Sequence, residues 1–356
     1  MKRIKGAARA VSFSMYFYNP YNRLHRKNAG FHKKIQVDSR PAPPQNKGGI
    51  FLRTERIGMH IYDNILETVG GTPLVRIHRV FHKENVEILA KVEGFNPTGS
   101  IKDRIAIKMI EQAEAEGALT PGKTIIEATS GNTGIGLAMI GVIKGYHVII
   151  VMSSAVSEER QRMIKAFGAE VLLTDASQGT DGAIREAHRI VDSAPDKYFM
   201  PNQFSNHFNQ YAHYATTAEE IITDTVGRVT HVVSAIGTSG TIMGVSSRLK
   251  ELNPAIKVVC AHPVRGHYIQ GLKNMEEAIV PSIYNPALID TTIMVESEEA
   301  FAMSRRVVRE EGIFCGMSSG AAMLAAVRLA ETLDKGVIVV IFPDRGEKYL
   351  STSLFC

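Results

Sequence analysis

From about residue 60 onward, short apolar runs alternate with stretches whose apolar residues recur at helical spacing. The runs at 124–127, 147–152, 170–174, 231–235, 257–261 and 337–342 are four to six residues long. That length suits strands buried in a sheet better than helices. Between them, Ile105, Met109, Ile110 and Ala113 fall on one face of a helix, and 135–144 and 242–252 repeat the pattern. A small-residue helix is expected from Gly316 to about Leu333. Ser157, followed by Glu158 and Glu159, reads as the N-cap and dipole-matched first turn of a helix ending near Gly168. Strand and helix in alternation predict an α/β protein of two lobes.

The first 58 residues break this pattern. Pro41-Ala42-Pro43-Pro44 through Gly48-Gly49 is a breaker-rich linker, and no periodic apolar pattern precedes it. The segment is expected to have no fold. The chain holds 41 Lys and Arg against 36 Asp and Glu; residues 1–58 take 13 and 2 of these, leaving 28 basic and 34 acidic residues beyond. The basic balance thus belongs to the extension. Three readings stand: a segment for an acidic surface or nucleic acid, an organelle import signal, or an over-long start with Met59 as the true one. The third is preferred, which leaves no nucleic-acid partner. The chain is 44% hydrophobic and 22% charged, without an apolar run long enough to span a bilayer. Cys260, Cys315 and Cys356 show no paired spacing for a metal or a disulfide framework, which suits a reducing, cytoplasmic compartment. His207 and His213 are read as structural or exposed, and no metal is expected.

Candidate chemistry sits at four strand-to-helix or loop-to-helix turns. In Asn96-Pro97-Thr98-Gly99-Ser100-Ile101-Lys102, breakers stop a strand, Ser100 can cap the next helix, and Lys102 is held beside rigid structure. A desolvated lysine of lowered pKa can form a Schiff base with an aldehyde, although alone it is also compatible with a surface residue. Glu127-Ala128-Thr129-Ser130-Gly131-Asn132-Thr133-Gly134 opens a helix whose free N–H groups and hydroxyls suit a carboxylate. Gly237-Thr238-Ser239-Gly240-Thr241 follows an apolar run, and its backbone can wrap a phosphate. Gly316-Met317-Ser318-Ser319-Gly320 begins a helix able to pack against a flat ligand.

In combination and order, these four segments resemble the pyridoxal-phosphate enzymes of fold type II, and within them the cysteine synthase (O-acetylserine sulfhydrylase) family, over about 62–355. Asn209-Gln210-Tyr211-Ala212-His213-Tyr214 and Asp344-Arg345-Gly346-Glu347-Lys348-Tyr349 resemble its B branch. The resemblance implies a tryptophan-synthase-β-like fold of two open twisted sheets flanked by helices. Its lobes would be 59–206, with part crossing over, and 207–356, with the cofactor between them. It implies that Lys102 holds pyridoxal 5'-phosphate and later moves the substrate α-proton. Asn132 would meet the pyridoxal 3'-oxygen, and Gly237, Thr238, Ser239, Gly240 and Thr241 would cradle the phosphate. Ser318 would face the pyridine nitrogen. Thr129, Ser130, Gly131, Thr133 and Gln203 would grip the substrate carboxylate. The implied reaction is β-replacement, making L-cysteine from O-acetylserine and sulfide, with thiosulfate or O-phosphoserine as alternative substrates. Phosphoserine users carry arginine where this chain has Lys273, which keeps the charge without the bidentate fork. A homodimer and a docking partnership with serine acetyltransferase are further implications. Rival readings are a cystathionine β-synthase, a serine or threonine dehydratase, and an inactive family member that only docks that acetyltransferase.

Overall fold

The computed structural model describes residues 61–356 except Ser130. The expectations for 1–58, including the start at Met59, lie outside the described residues. The described strands form two sheets. The larger contains β1 (Leu74–Arg76), β2 (Val86–Val92), β7 (His231–Ala235), β8 (Lys257–Pro263), β9 (Thr291–Val295) and β10 (Gly336–Phe342), in the order β1-β2-β10-β7-β8-β9. The smaller contains β3 (Thr124–Ala128), β4 (Val148–Ser153), β5 (Glu170–Thr174) and β6 (Tyr198–Phe199), in the order β5-β4-β3-β6. Every pairing is parallel except β1 on β2.

Parallel strands covered on both faces have no polar side to present, which is why β4 and the second half of β10 read as unbroken apolar runs and are buried throughout. β5 closes one edge, and three of its five residues are exposed. The sequence runs at 170–174 and 231–235 coincide with β5 and β7, and the other four match strands to within two residues at each end. Four strands escaped the pattern. β1 and β6 have only three and two residues. β9 is largely exposed, and β2 carries Glu87 and Lys91 within its apolar residues.

Helices cover both sheets. α1 (Lys102–Ala115), α2 (Asn132–Lys144) and α3 (Glu158–Ala166) pack with β3 and β4, while α4 (Gly179–Ser193) covers the other face of that sheet. Against the larger sheet lie α6 (Ala218–Thr225) and α7 (Gly240–Leu252) on one face, and α8 (Ser297–Arg306) and α9 (Met317–Thr332) on the other. The short α5 (His207–Ala212) runs into a π-helical turn, His213–Thr217. Close packing depends on glycine at many places, α2 among them. A Cβ on Gly134 would press on Ile150 of β4, and one on Gly136 would press on Asp103 and Ala106 of α1.

Two caps differ from the sequence reading. Ser157 occupies the N-cap of α3, but its hydroxyl donates to the Lys348 carbonyl (2.9 Å) rather than accepting from the helix. Ile101 is the N-cap of α1, while Ser100 Oγ accepts the Lys102 amide (3.2 Å) from one residue further back.

Candidate active site

In parallel sheets, ligands collect at the carboxyl ends of the strands, where turns lead into helix N-termini. Here the chain leaving β3 at Thr129, β7 at Gly237 and β10 at Pro343 lines a single cleft. Lys102, Thr129, Asn132, Thr133, Gln203, Gly237, Thr238, Ser239, Thr241 and Ser318 all line it. Gly131 and Gly240 stand behind this wall, and Ser130 lies outside the described residues. A Cβ on Gly131 would strike the Arg160 side chain, and Gly131 adopts φ +129°.

Lys102 is the first residue of α1, and the loop before it is locked from within. The Asp103 carboxylate accepts from both the Thr98 amide (2.7 Å) and the Thr98 hydroxyl. The Ile101 amide donates to the Pro343 carbonyl (2.8 Å), fastening the loop to the end of β10. Burial pushes the Lys102 amine down to about 8, against an opposing pull from the Asp344 carboxylate. Roughly a tenth is therefore unprotonated at pH 7, far more than for an ordinary lysine, as a nucleophilic amine requires.

Across the cleft, the Gly237–Thr241 turn makes a cradle for an anion. α7 starts without a side-chain cap, and Ser239 before it takes a left-handed conformation, φ +67°. The Ser239 hydroxyl is buried and has no hydrogen-bond partner. A Cβ on Gly237 would overlap the Gly271 carbonyl oxygen, so that residue has no room for a side chain. An orphaned hydroxyl and an uncapped helix N-terminus fit a bound phosphate, which would satisfy both, and the strained Ser239 marks the turn as a candidate ligand clamp. Ser318, in the first turn of α9, is 5% exposed, and its hydroxyl makes no hydrogen bond among the described residues. It is thus free to meet a ring nitrogen.

The turn after β3 is also pre-set. Thr133 Oγ1 donates to Gln203 Oε1 (2.7 Å), and Gln203 Nε2 donates to the Ala128 carbonyl (3.0 Å). The buried Glu127 carboxylate accepts from the amides of Asn202 (2.7 Å) and Gln203 (3.2 Å); burial outweighs these bonds and pushes its pKa up to about 8. Asn132 is more committed than the sequence suggested. Its Nδ2 donates to Asp344 Oδ2 (2.7 Å), and its Oδ1 accepts from Lys348 Nζ (3.0 Å). One amide hydrogen remains available to the cleft.

Other residues of the site stand outside the four turns. Tyr268 and Gln270 line the cleft from the loop after β8, and Gln270 Oε1 is buried without a partner. Behind Asn132, the Tyr349 hydroxyl donates to Asp344 Oδ2 (2.7 Å) and accepts from Arg160 Nη2 (2.6 Å). These residues meet only in three dimensions. Lys273 is a buried wall residue rather than a solvated loop charge. It is 9% exposed, donates to Asp181 Oδ1 (3.0 Å), and lies 4.7 Å from the centre of the Phe204 ring. Cys315 is packed as a small hydrophobe, its thiol pushed up to about 12 by burial.

A family model described as "Pyridoxal-phosphate dependent enzyme" matches residues 65–344. The chain is 48% identical to the cysteine synthase of Aquifex aeolicus, with 82% of this chain and 92% of that protein covered. It is 44% identical to cysteine synthase B of Pseudomonas aeruginosa, covering 83% and 98%. The crystal structure of a cysteine synthase from Entamoeba histolytica superposes with a TM-score of 0.78 at 45% identity, covering 87% of this chain and 94% of that one. With the lysine, the anion cradle and the free serine hydroxyl on one cleft, these matches establish that the chain belongs to the cysteine synthases of the pyridoxal-phosphate dependent enzyme family.

Proposed function

We propose that this chain makes L-cysteine by β-replacement, exchanging the acetate of O-acetylserine for sulfide. The observation that carries the reading is the placement of the Lys102 amine and the Gly237–Thr241 cradle on one cleft, with the Thr129–Thr133 turn and Gln203 on its wall. Bound pyridoxal phosphate supplies an electron sink that acidifies the substrate α-carbon and lets the β-substituent depart. The chain's residues do the rest. Lys102 would hold the cofactor through its aldehyde and, as a free amine, would accept the substrate α-proton at Nζ. Its lowered pKa keeps a share of that amine free to do so. The N-terminal amides of α2, with Thr129, Ser130, Gly131, Thr133 and Gln203, hold the α-carboxylate. Asn132, steadied by Asp344 and Lys348, offers its remaining amide hydrogen to the cofactor's 3'-oxygen. Ser318 faces the pyridine nitrogen with a hydroxyl rather than a carboxylate, which leaves that nitrogen uncharged and restrains side reactions of the carbanion.

Lys273 bears on the leaving group. Its ammonium is spent on Asp181 and the Phe204 face, so little charge remains for a phosphate, and the site favours O-acetylserine over O-phosphoserine. The relatives named above are cysteine synthases, and they lend no support to the cystathionine β-synthase or dehydratase readings. Among the described residues no helix is long and apolar enough to cross a membrane. A cytoplasmic homodimer that docks serine acetyltransferase completes the proposal, supported by family membership.

The test is product analysis. Purified protein supplied with pyridoxal phosphate, O-acetylserine and sulfide should release cysteine, and thiosulfate in place of sulfide should give S-sulfocysteine. Lys102→Ala should lower turnover by roughly a thousandfold or more while the protein still folds. Absence of a sulfur amino acid from every donor and acceptor pair would remove the synthase assignment.

A further inference from the structure

Two buried polar side chains stand behind the Gly237–Thr241 turn without touching the cleft. Asn209 of α5 and His213 of the following π-helical turn are both 0% exposed. Asn209 Nδ2 donates to the Gln203 carbonyl (2.7 Å) and to Thr238 Oγ1 (3.1 Å). A carbonyl can only accept, so the bond to Gln203 fixes which end of the Asn209 amide is the nitrogen. Thr238 Oγ1 must then act as acceptor toward Asn209, and its own hydrogen is directed elsewhere. His213 repeats the arrangement one turn on. Its Nδ1 lies 3.0 Å from Thr217 Oγ1 and its Nε2 lies 3.2 Å from Thr241 Oγ1. Burial, with Lys102 and Arg104 nearby, holds the imidazole well below its ordinary pKa, so it is neutral and carries a single N–H.

The contact is enforced by packing. A Cβ on Gly240 would overlap the Asn209 amide, and one on Gly244 would overlap the Gln210 carbonyl and crowd the His213 side chain. The N-terminal turn of α7 is thus pressed onto α5 and the π-turn, in a place where interrupted helices often mark function.

We propose that Asn209 and His213 are positioning residues that set the polarity of the phosphate cradle. Each donates an N–H to a threonine oxygen, Thr238 or Thr241, so that both hydroxyl hydrogens turn toward the dianion. The inference rests on the reading of 237–241 as the phosphate site and adds to it a source of hydroxyl direction. For His213 it requires the Nε2–H tautomer, with Thr217 donating to Nδ1.

Two measurements test this. Apoprotein is titrated with pyridoxal 5'-phosphate and, separately, with pyridoxal, which lacks the phosphate, while melting of the apoprotein monitors folding. His213→Leu and Asn209→Ala should each weaken binding of pyridoxal 5'-phosphate about tenfold or more and leave pyridoxal within twofold. His213→Gln, whose amide can still donate to Thr241, should bind nearly as the wild type. Equal losses for both ligands, or no loss for either, would overturn the proposal. A wild type that captures neither ligand fails the cradle reading itself, whereas wild-type binding with unaffected variants fails only this inference. Should the variants not fold, long-range proton–nitrogen NMR of the intact, cofactor-loaded protein reads the tautomer directly. Nε2–H on His213 supports the proposal, and Nδ1–H refutes it.

Discussion

The Lys102 amine is held down to about 8 by burial, and the neighbouring Asp344 carboxylate pulls it back up. Only the unprotonated amine attacks an aldehyde, so cofactor capture by apoprotein should accelerate as pH rises and level off above about 8, well short of the plateau for an ordinary lysine. Asp344→Asn removes the raising influence, and the midpoint should move to lower pH; stopped-flow absorbance checks both. Asp181→Asn frees the Lys273 ammonium and should raise kcat/KM for O-phosphoserine by roughly tenfold against O-acetylserine, as compared by competition kinetics. Lys102 was legible in the sequence because breakers and a helical pattern bracket it. Asp344 and Lys348 lie more than two hundred residues away, and no local pattern records that they would hold Asn132.

At the scale of elements, the turns that carry chemistry were legible because glycines and hydroxyls cluster between an apolar run and a helix. Most strands found from sequence are buried on both faces, where the apolar run is continuous; β5, at a sheet edge, is the exception. β2 was not, although it is almost wholly buried between β1 and β10. Its Lys91 is buried by an ion pair with Glu220 (2.8 Å), so a charged residue stands where periodicity expects an apolar one. Asn209 and His213 were likewise unreadable as parts of a site, since their significance comes from α7 lying across them. The cradle turn itself is held apart by exact backbone spacing that a methyl group would spoil. Gly237→Ala would drive a Cβ into the Gly271 carbonyl. It should weaken cofactor binding tenfold or more while costing the apoprotein roughly 1–3 kcal/mol, as read by denaturant unfolding.

Across the whole molecule, the start of α1 is tied to the segment after β2 and to α6. Arg104 Nε and Nη2 donate to the Glu93 carboxylate (2.7 and 2.9 Å), and its Nη1 and Nη2 donate to Glu220 of α6 (2.6 and 2.8 Å). Glu93 follows β2, so one guanidinium joins the larger sheet, α6 and the helix that carries Lys102. Arg104→Ala would leave the buried Glu93 charge without its main partner, at a cost of roughly 3–5 kcal/mol. The melting temperature should fall by roughly 5–15 °C, and Arg104→Lys should not restore it because the bidentate fork is lost. The most direct test of the central claim is chemical. Protein incubated with pyridoxal phosphate is reduced with borohydride, digested and mapped by mass spectrometry. The account expects the phosphopyridoxyl label on Lys102; a label confined to another residue, such as Lys348 or Lys273, or no label at all, would contradict it.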